Sequence, residues 1–121
     1  WLYILMRLEL LKSKIHRATV TDANLDYVGS LSLDPHLMRA ANLNEYEKIH
    51  VLNIKNGNRL VTYVIRGKEG SGEVCINGAA AHLVSRGDLV IIVSFCSVDE
   101  SRVGSFKPTI VHVNDYNKIS S

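Results

Sequence analysis

The sequence predicts a small, mainly β protein of one domain. At 121 residues the chain is long enough to bury one core and too short for two. Short runs rich in Val, Ile, Thr and Tyr dominate it, the mark of half-buried strands. Turn-forming clusters separate those runs. Many short strands in one small domain point to a barrel or a sandwich, and composition does not choose between them.

In chain order, a first strand is expected over Lys14–Thr21, ending in the alternation Ala18-Thr19-Val20-Thr21. A short helix follows. Asp34 can cap it, Pro35 suits its first position, and Leu33 can staple onto Met38 across the cap. Leu37, Met38, Ala40 and Ala41 then form its apolar face. Further strands are expected over Ile49–Ile54, Arg59–Ile65, Glu73–Ile76, Leu89–Phe95 and Thr109–Val113. The clusters Lys55-Asn56-Gly57-Asn58, Gly67-Lys68-Glu69-Gly70-Ser71-Gly72 and Arg86-Gly87-Asp88 supply turns, and a second helical turn is expected at Ala79–Leu83. Cys75 and Cys96 lie in apolar strand-like runs and read as buried free thiols, which suits a reducing cytoplasm. The start, residues 1–7, is apolar but too short to span a membrane, and it lacks the basic region and cleavage site of a signal peptide. Met6 is read as the natural start, with residues 1–5 as an addition.

Charge excludes some functions. A net charge of +2 leaves no basic stripe to neutralise many phosphates, and aromatic–basic clusters are missing, which argues against nucleic acid. His16, His36, His50, His82 and His112 show no metal-ligand spacing, and there is no Cys-x-x-Cys, so no metal is expected.

Three Gly-Ser pairs occur: Gly29-Ser30, Gly70-Ser71 and Gly104-Ser105. The second lies between two strand signals and reads as a hairpin turn. The third reads as loop before Pro108. The first stands apart, because Tyr27 precedes it and the apolar Leu31-Ser32-Leu33 follows. Tyr27-Val28-Gly29-Ser30, then Asn56-Gly57-Asn58-Arg59, Thr62-Tyr63 and Ile76-Asn77-Gly78-Ala79-Ala80-Ala81, together resemble the aspartate 1-decarboxylase family in order and spacing. The resemblance runs from about Leu11 to Lys118.

That resemblance implies a double-psi β-barrel with short helices, built from residues 11–121 after an N-terminal extension of residues 1–10. It implies a cytoplasmic homotetramer with active sites between subunits, and a separate maturation protein that some members need. It also implies a chemistry: decarboxylation of L-aspartate to β-alanine for pantothenate and coenzyme A biosynthesis, with no metal. The cofactor would be a covalent pyruvoyl group made from Ser30 by self-cleavage at Gly29-Ser30. Such cleavage needs the serine hydroxyl to attack the preceding carbonyl through a twisted backbone, which glycine admits. The substrate amine would then condense with the pyruvoyl carbonyl, which serves as the electron sink.

Residue by residue, the resemblance assigns Thr62 to the cleavage-site carbonyl, an oxyanion-type role worth roughly 3 kcal/mol of barrier. Tyr63 would donate a proton to the carbanion left by carbon dioxide; a phenol near pKa ~10 is acid enough for a carbon that basic. Strand alternation sets these neighbours on opposite faces, so one site for both needs a bulge or a shared interface. Arg59 offers a bidentate fork for the carboxylate that the product retains. Lys14 is a general cation near the site, and His16 and Tyr27 are candidates for tuning charge there. Asn77 would contact cofactor and substrate, while Gly78, Ala79 and Ala80 let backbone N–H groups come close.

Two positions depart from some relatives: Asp26 stands where they carry histidine, and Leu52 where they carry tryptophan. The competing readings are an uncleaved barrel that serves as a binding module, and a folded zymogen awaiting processing. A barrel fold alone does not separate them from the enzyme.

Overall fold

A computed structural model describes residues 6–26 and 29–121. The strands are β1 (Arg7–Thr19), β2 (Asp22–Asn24), β3 (Ser30–Leu33), β4 (Lys48–Asn53), β5 (Arg59–Arg66), β6 (Val74–Asn77), β7 (Leu89–Asp99) and β8 (Thr109–His112). One α-helix, α1 (Pro35–Ala40), and two 3-10 helices, Gly78–His82 and Glu100–Ser105, complete the elements. Among the described residues no helix is long and apolar enough to cross a membrane.

The strand order is β2-β6-β3-β5-β4-β7-β1-β8. Parallel pairs (β2–β6, β3–β5, β1–β8) are mixed with antiparallel ones (β3–β6, β4–β5, β4–β7, β1–β7), and β3 is slotted between β5 and β6. This mixed, interlocked order is that of a double-psi β-barrel. The core is what the alternation requires: Ile15, Leu31, Leu33, Ile49, Val51, Val64, Ile76, Val90 and Ile92 are fully buried. Each such side chain contributes on the order of 1.5–3 kcal/mol by leaving water. Register shifts between Leu11 and Ser13 and between Ile15 and Ala18 mark irregularities in β1, where Arg17 takes a left-handed φ of 63°. Such bulges raise local twist and let a long strand turn a barrel corner.

The helix is capped as its sequence predicts, and more besides. Asp34 Oδ1 accepts from the N–H of His36, and Pro35 opens the helix. The same carboxylate also accepts from Gly70 N–H (Oδ1) and Gly72 N–H (Oδ2), each at 2.9 Å. A local cap thus doubles as the anchor of the turn after β5.

Several expectations need correction. Gly70-Ser71 is not a hairpin turn, because β5 and β6 do not pair; both flank β3, and the turn carries the chain across it. Gly104-Ser105 ends a 3-10 helix rather than sitting in a loop. The second helical turn is 3-10 and runs Gly78–His82. Cys75 and Cys96 are free but only half-buried. β1 starts at Arg7 rather than Lys14, and β7 continues to Asp99, the two pairing along that extension. Strands β2 (Asp-Ala-Asn) and β3 (Ser-Leu-Ser-Leu) were not foreseen, since neither carries the Val, Ile, Thr or Tyr that marked the others.

Candidate active site

Ser30 opens β3 and lies opposite Asn77, the last residue of β6. Both are buried, with 2% and 4% exposed. Asn77 sits at the N-cap of the Gly78–His82 turn but makes no side-chain capping bond. Its amide turns to β3 instead. Nδ2 donates to Ser30 Oγ at 3.0 Å and to Ser32 Oγ at 2.9 Å. Oδ1 accepts from Cys75 Sγ at 3.4 Å. Gly78 takes a left-handed φ of 76°, which lets the chain turn sharply after Asn77. At Gly29 a Cβ would meet, among the described residues, the Asn77 carbonyl oxygen at 3.9 Å, an ordinary van der Waals contact.

A cavity of about 340 Å³ opens beside this pair, lined by Ser30, Ser32, Tyr63, Ile65, Glu73, Cys75 and Asn77. Larger clefts, about 440 Å³ beside Arg7 and Arg102 and about 560 Å³ beside Thr19 and Tyr116, hold none of the candidate residues. Chemistry, not size, selects the smaller one. Its lining follows from alternation: Ser30 and Ser32, Tyr63 and Ile65, Glu73, Cys75 and Asn77 are same-face neighbours on β3, on β5, and on and just before β6.

Tyr63 and Thr62 occupy opposite faces of β5. The β4–β5 register runs without a shift, Lys48 opposite Tyr63 and Ile49 opposite Thr62, so no bulge brings them together. Thr62 shares its face with the buried Ile49 and does not line the cavity. The β3–β5 register sets Leu31 beside Val64. Carried back two residues, the same offset sets Ser30 beside Tyr63 and Gly29 beside Thr62.

The candidate cations are not at this cavity. Arg59 is exposed at the start of β5, four residues or about 13 Å along the strand from Tyr63. Lys14 and His16 lie on β1, which β7 and β4 separate from β5. Lys14 is flanked by Val93 and Ile110, and His16 meets His112 edge-on at 5.5 Å. Burial lowers the His16 pKa, and the charges of Lys14, His112 and Arg17 lower it further. Ala79 is exposed and Ala80 half-buried against the core; neither lines the cavity. Tyr27 lies outside the described residues. The only charged group on the cavity wall, among the described residues, is therefore the carboxylate of Glu73. Among the described residues no cluster of three or more His, Cys, Asp or Glu could hold a metal ion.

Ser32, Ile65, Glu73 and Cys75 were not singled out from sequence. The signal was available: each lies two residues from a candidate or from another lining residue, on the same strand face.

The family model for aspartate decarboxylase matches residues 6–120. The chain belongs to the aspartate decarboxylase family. It is 57% identical over 115 residues to aspartate 1-decarboxylase of Campylobacter fetus, covering 95% of this chain and 99% of that one. Aspartate 1-decarboxylase of Caldicellulosiruptor bescii is 56% identical over 114 residues, 94% of this chain and 89% of the relative. That of Clostridium botulinum strain Langeland is 53% identical over 114 residues, 94% and 90% of the two chains. Within this aspartate decarboxylase family member, Ser30, Tyr63 and Asn77 meet at one cavity, while Arg59, Lys14 and His16 face other parts of the surface.

Proposed function

We propose that the chain decarboxylates L-aspartate at its α-carbon to give β-alanine and carbon dioxide, using a pyruvoyl group made from Ser30. The observation that carries this reading is a buried serine, held by an asparagine amide, on the wall of a cavity that a tyrosine phenol also lines. Family membership points the same way.

In self-cleavage, Ser30 Oγ bonds to the Gly29 carbonyl carbon. The C–N bond breaks, and the nitrogen takes the hydroxyl proton. Thr62, beside Gly29 by strand offset, is assigned the charge that gathers on that carbonyl oxygen. The Ser30 Cα proton is then lost and the Cβ–Oγ bond breaks, Oγ leaving as part of the Gly29 carboxylate. Water replaces the nitrogen, ammonia departs, and residues 30–121 begin with the pyruvoyl group. That group supplies the electron sink for loss of the α-carboxylate. Tyr63 stands in the cavity to protonate the carbon that the carboxylate leaves.

Aspartate carries two carboxylates, and a wall whose only described charge is Glu73 does not bind them. Arg59 and Lys14 are the cations assigned to them, with Asn77 on the cavity wall; the Gly78-Ala79-Ala80 backbone, off that wall, is assigned to the substrate by the family resemblance. Because one chain keeps these cations away from its own cavity, the site is completed by a neighbouring copy, in a homotetramer. An outward sheet face fits such packing: Val61 is 55% exposed, Phe95 45% and Ile110 47%. A cytoplasmic location and a maturation protein belong to this reading without bearing on the geometry.

The test is production of β-alanine from L-aspartate by purified protein, beside a Ser30→Ala variant. The wild type should form it. The variant should stay one chain and form none. Turnover in the variant would sink the mechanism.

A further inference from the structure

The Asn77 amide is committed at both ends, and the commitment has a direction. Turned by half a rotation about its last bond, it would present oxygen rather than nitrogen to Ser30. The group at its far end discriminates between the two. A protonated thiol donates to a carbonyl oxygen and is a weak acceptor for an amide N–H. Burial pushes the Cys75 pKa up, and Asp22 and Glu73 add to it, so the thiol keeps its proton at neutral pH. Ser32 takes the second Nδ2 hydrogen and leaves the first aimed at Ser30.

Direction matters to the bond that breaks. Once the acyl group has moved to Oγ, that oxygen becomes the leaving atom of the elimination and carries the electron pair away as carboxylate. An N–H at Oγ stabilises the growing negative charge. An amide oxygen there would repel it. We propose that Cys75 and Ser32 are positioning residues that hold the Asn77 nitrogen on Ser30 Oγ and thereby set the rate of Gly29–Ser30 cleavage. This rests on the self-cleaving reading above.

The experiment follows chain cleavage by intact mass in purified wild type, Cys75→Ala, Cys75→Ser and Ser32→Ala, with a thermal melt of each. The two alanine variants should cleave roughly tenfold more slowly, and Cys75→Ser, which keeps a donor, should return to near the wild-type rate. Wild-type rates in natively melting alanine variants would overturn the proposal. A Cys75→Ser as slow as Cys75→Ala would do so too. If Cys75→Ala does not fold, the half-buried Ser32 carries the comparison alone, on the same terms. If the wild type itself stays one chain, it is the self-cleaving reading that fails. Positioning is then read from proton exchange of the ¹⁵N-labelled Asn77 side-chain amide, which should quicken about tenfold in both alanine variants; unchanged exchange would refute it.

Discussion

Ser30, Tyr63 and Asn77 come from three different strands, and alternation alone aims them at one space. A side chain that reverses its face by moving one residue is a sensitive probe of that placement. Tyr63→Phe removes the phenolic proton and keeps the ring that walls the cavity. It should leave chain cleavage intact, lower kcat by about 10²-fold or more and change KM little, as steady-state assay on the cleaved enzyme would show. Equal losses in cleavage and turnover would move Tyr63 from proton donor to scaffold. That Ser30, Tyr63 and Asn77 could be singled out together follows from their short words, Gly-Ser, Thr-Tyr and Asn-Gly-Ala-Ala, although Thr62, Ala79 and Ala80 from the same words do not line the cavity. Cys75 and Ser32 were not singled out, since a thiol and a hydroxyl gain meaning only from the amide between them.

At the scale of elements, the link between α1 and the turn after β5 rests on the buried Asp34 carboxylate, beside an exposed Arg39–Glu69 ion pair. Burial alone would raise the Asp34 pKa, but the N–H groups of Gly72, His36 and Gly70 outweigh it and hold the value below the usual 3.8. Asp88 is lowered as well, first by the Asn53 side-chain amide and then by the Ser85 N–H. A carboxylate whose folded pKa is depressed stabilises the fold above its unfolded value, and loses that contribution as pH falls through the folded one. Melting temperature should therefore hold down to about pH 4 and drop steeply below it. Asp34→Asn should cost about 1–3 kcal/mol near neutrality, since an amide nitrogen cannot accept the N–H that faces it, and should flatten that acid dependence. Chemical denaturation at two pH values measures both. The helix start was readable because cap, proline and staple are local. Strand β3 was not: two of its four residues are serines, and its identity as a strand comes from β5 and β6 on its two sides.

In the whole barrel, the serine proposed to be cleaved and the cations proposed to bind substrate lie apart. In the proposed tetramer assembly reconciles them, and the outward face of Val61, Phe95 and Ile110 is the expected contact. Phe95→Asp, at a residue touched edge-on by His50 at 5.3 Å, should reduce the tetramer to smaller species by light scattering and lower decarboxylation with it. A fully active monomer would show that one chain holds a complete site. None of this was readable from composition, because an exposed apolar face and a buried one have the same period. The central claim is that Ser30 becomes the reactive group by breaking its own chain. Denaturing intact-mass analysis of freshly purified protein addresses it most directly. Two fragments, residues 1–29 and 30–121, with the second lighter than a serine-started chain by one ammonia, are the expected result. A single uncleaved mass that persists on ageing and warming would contradict it.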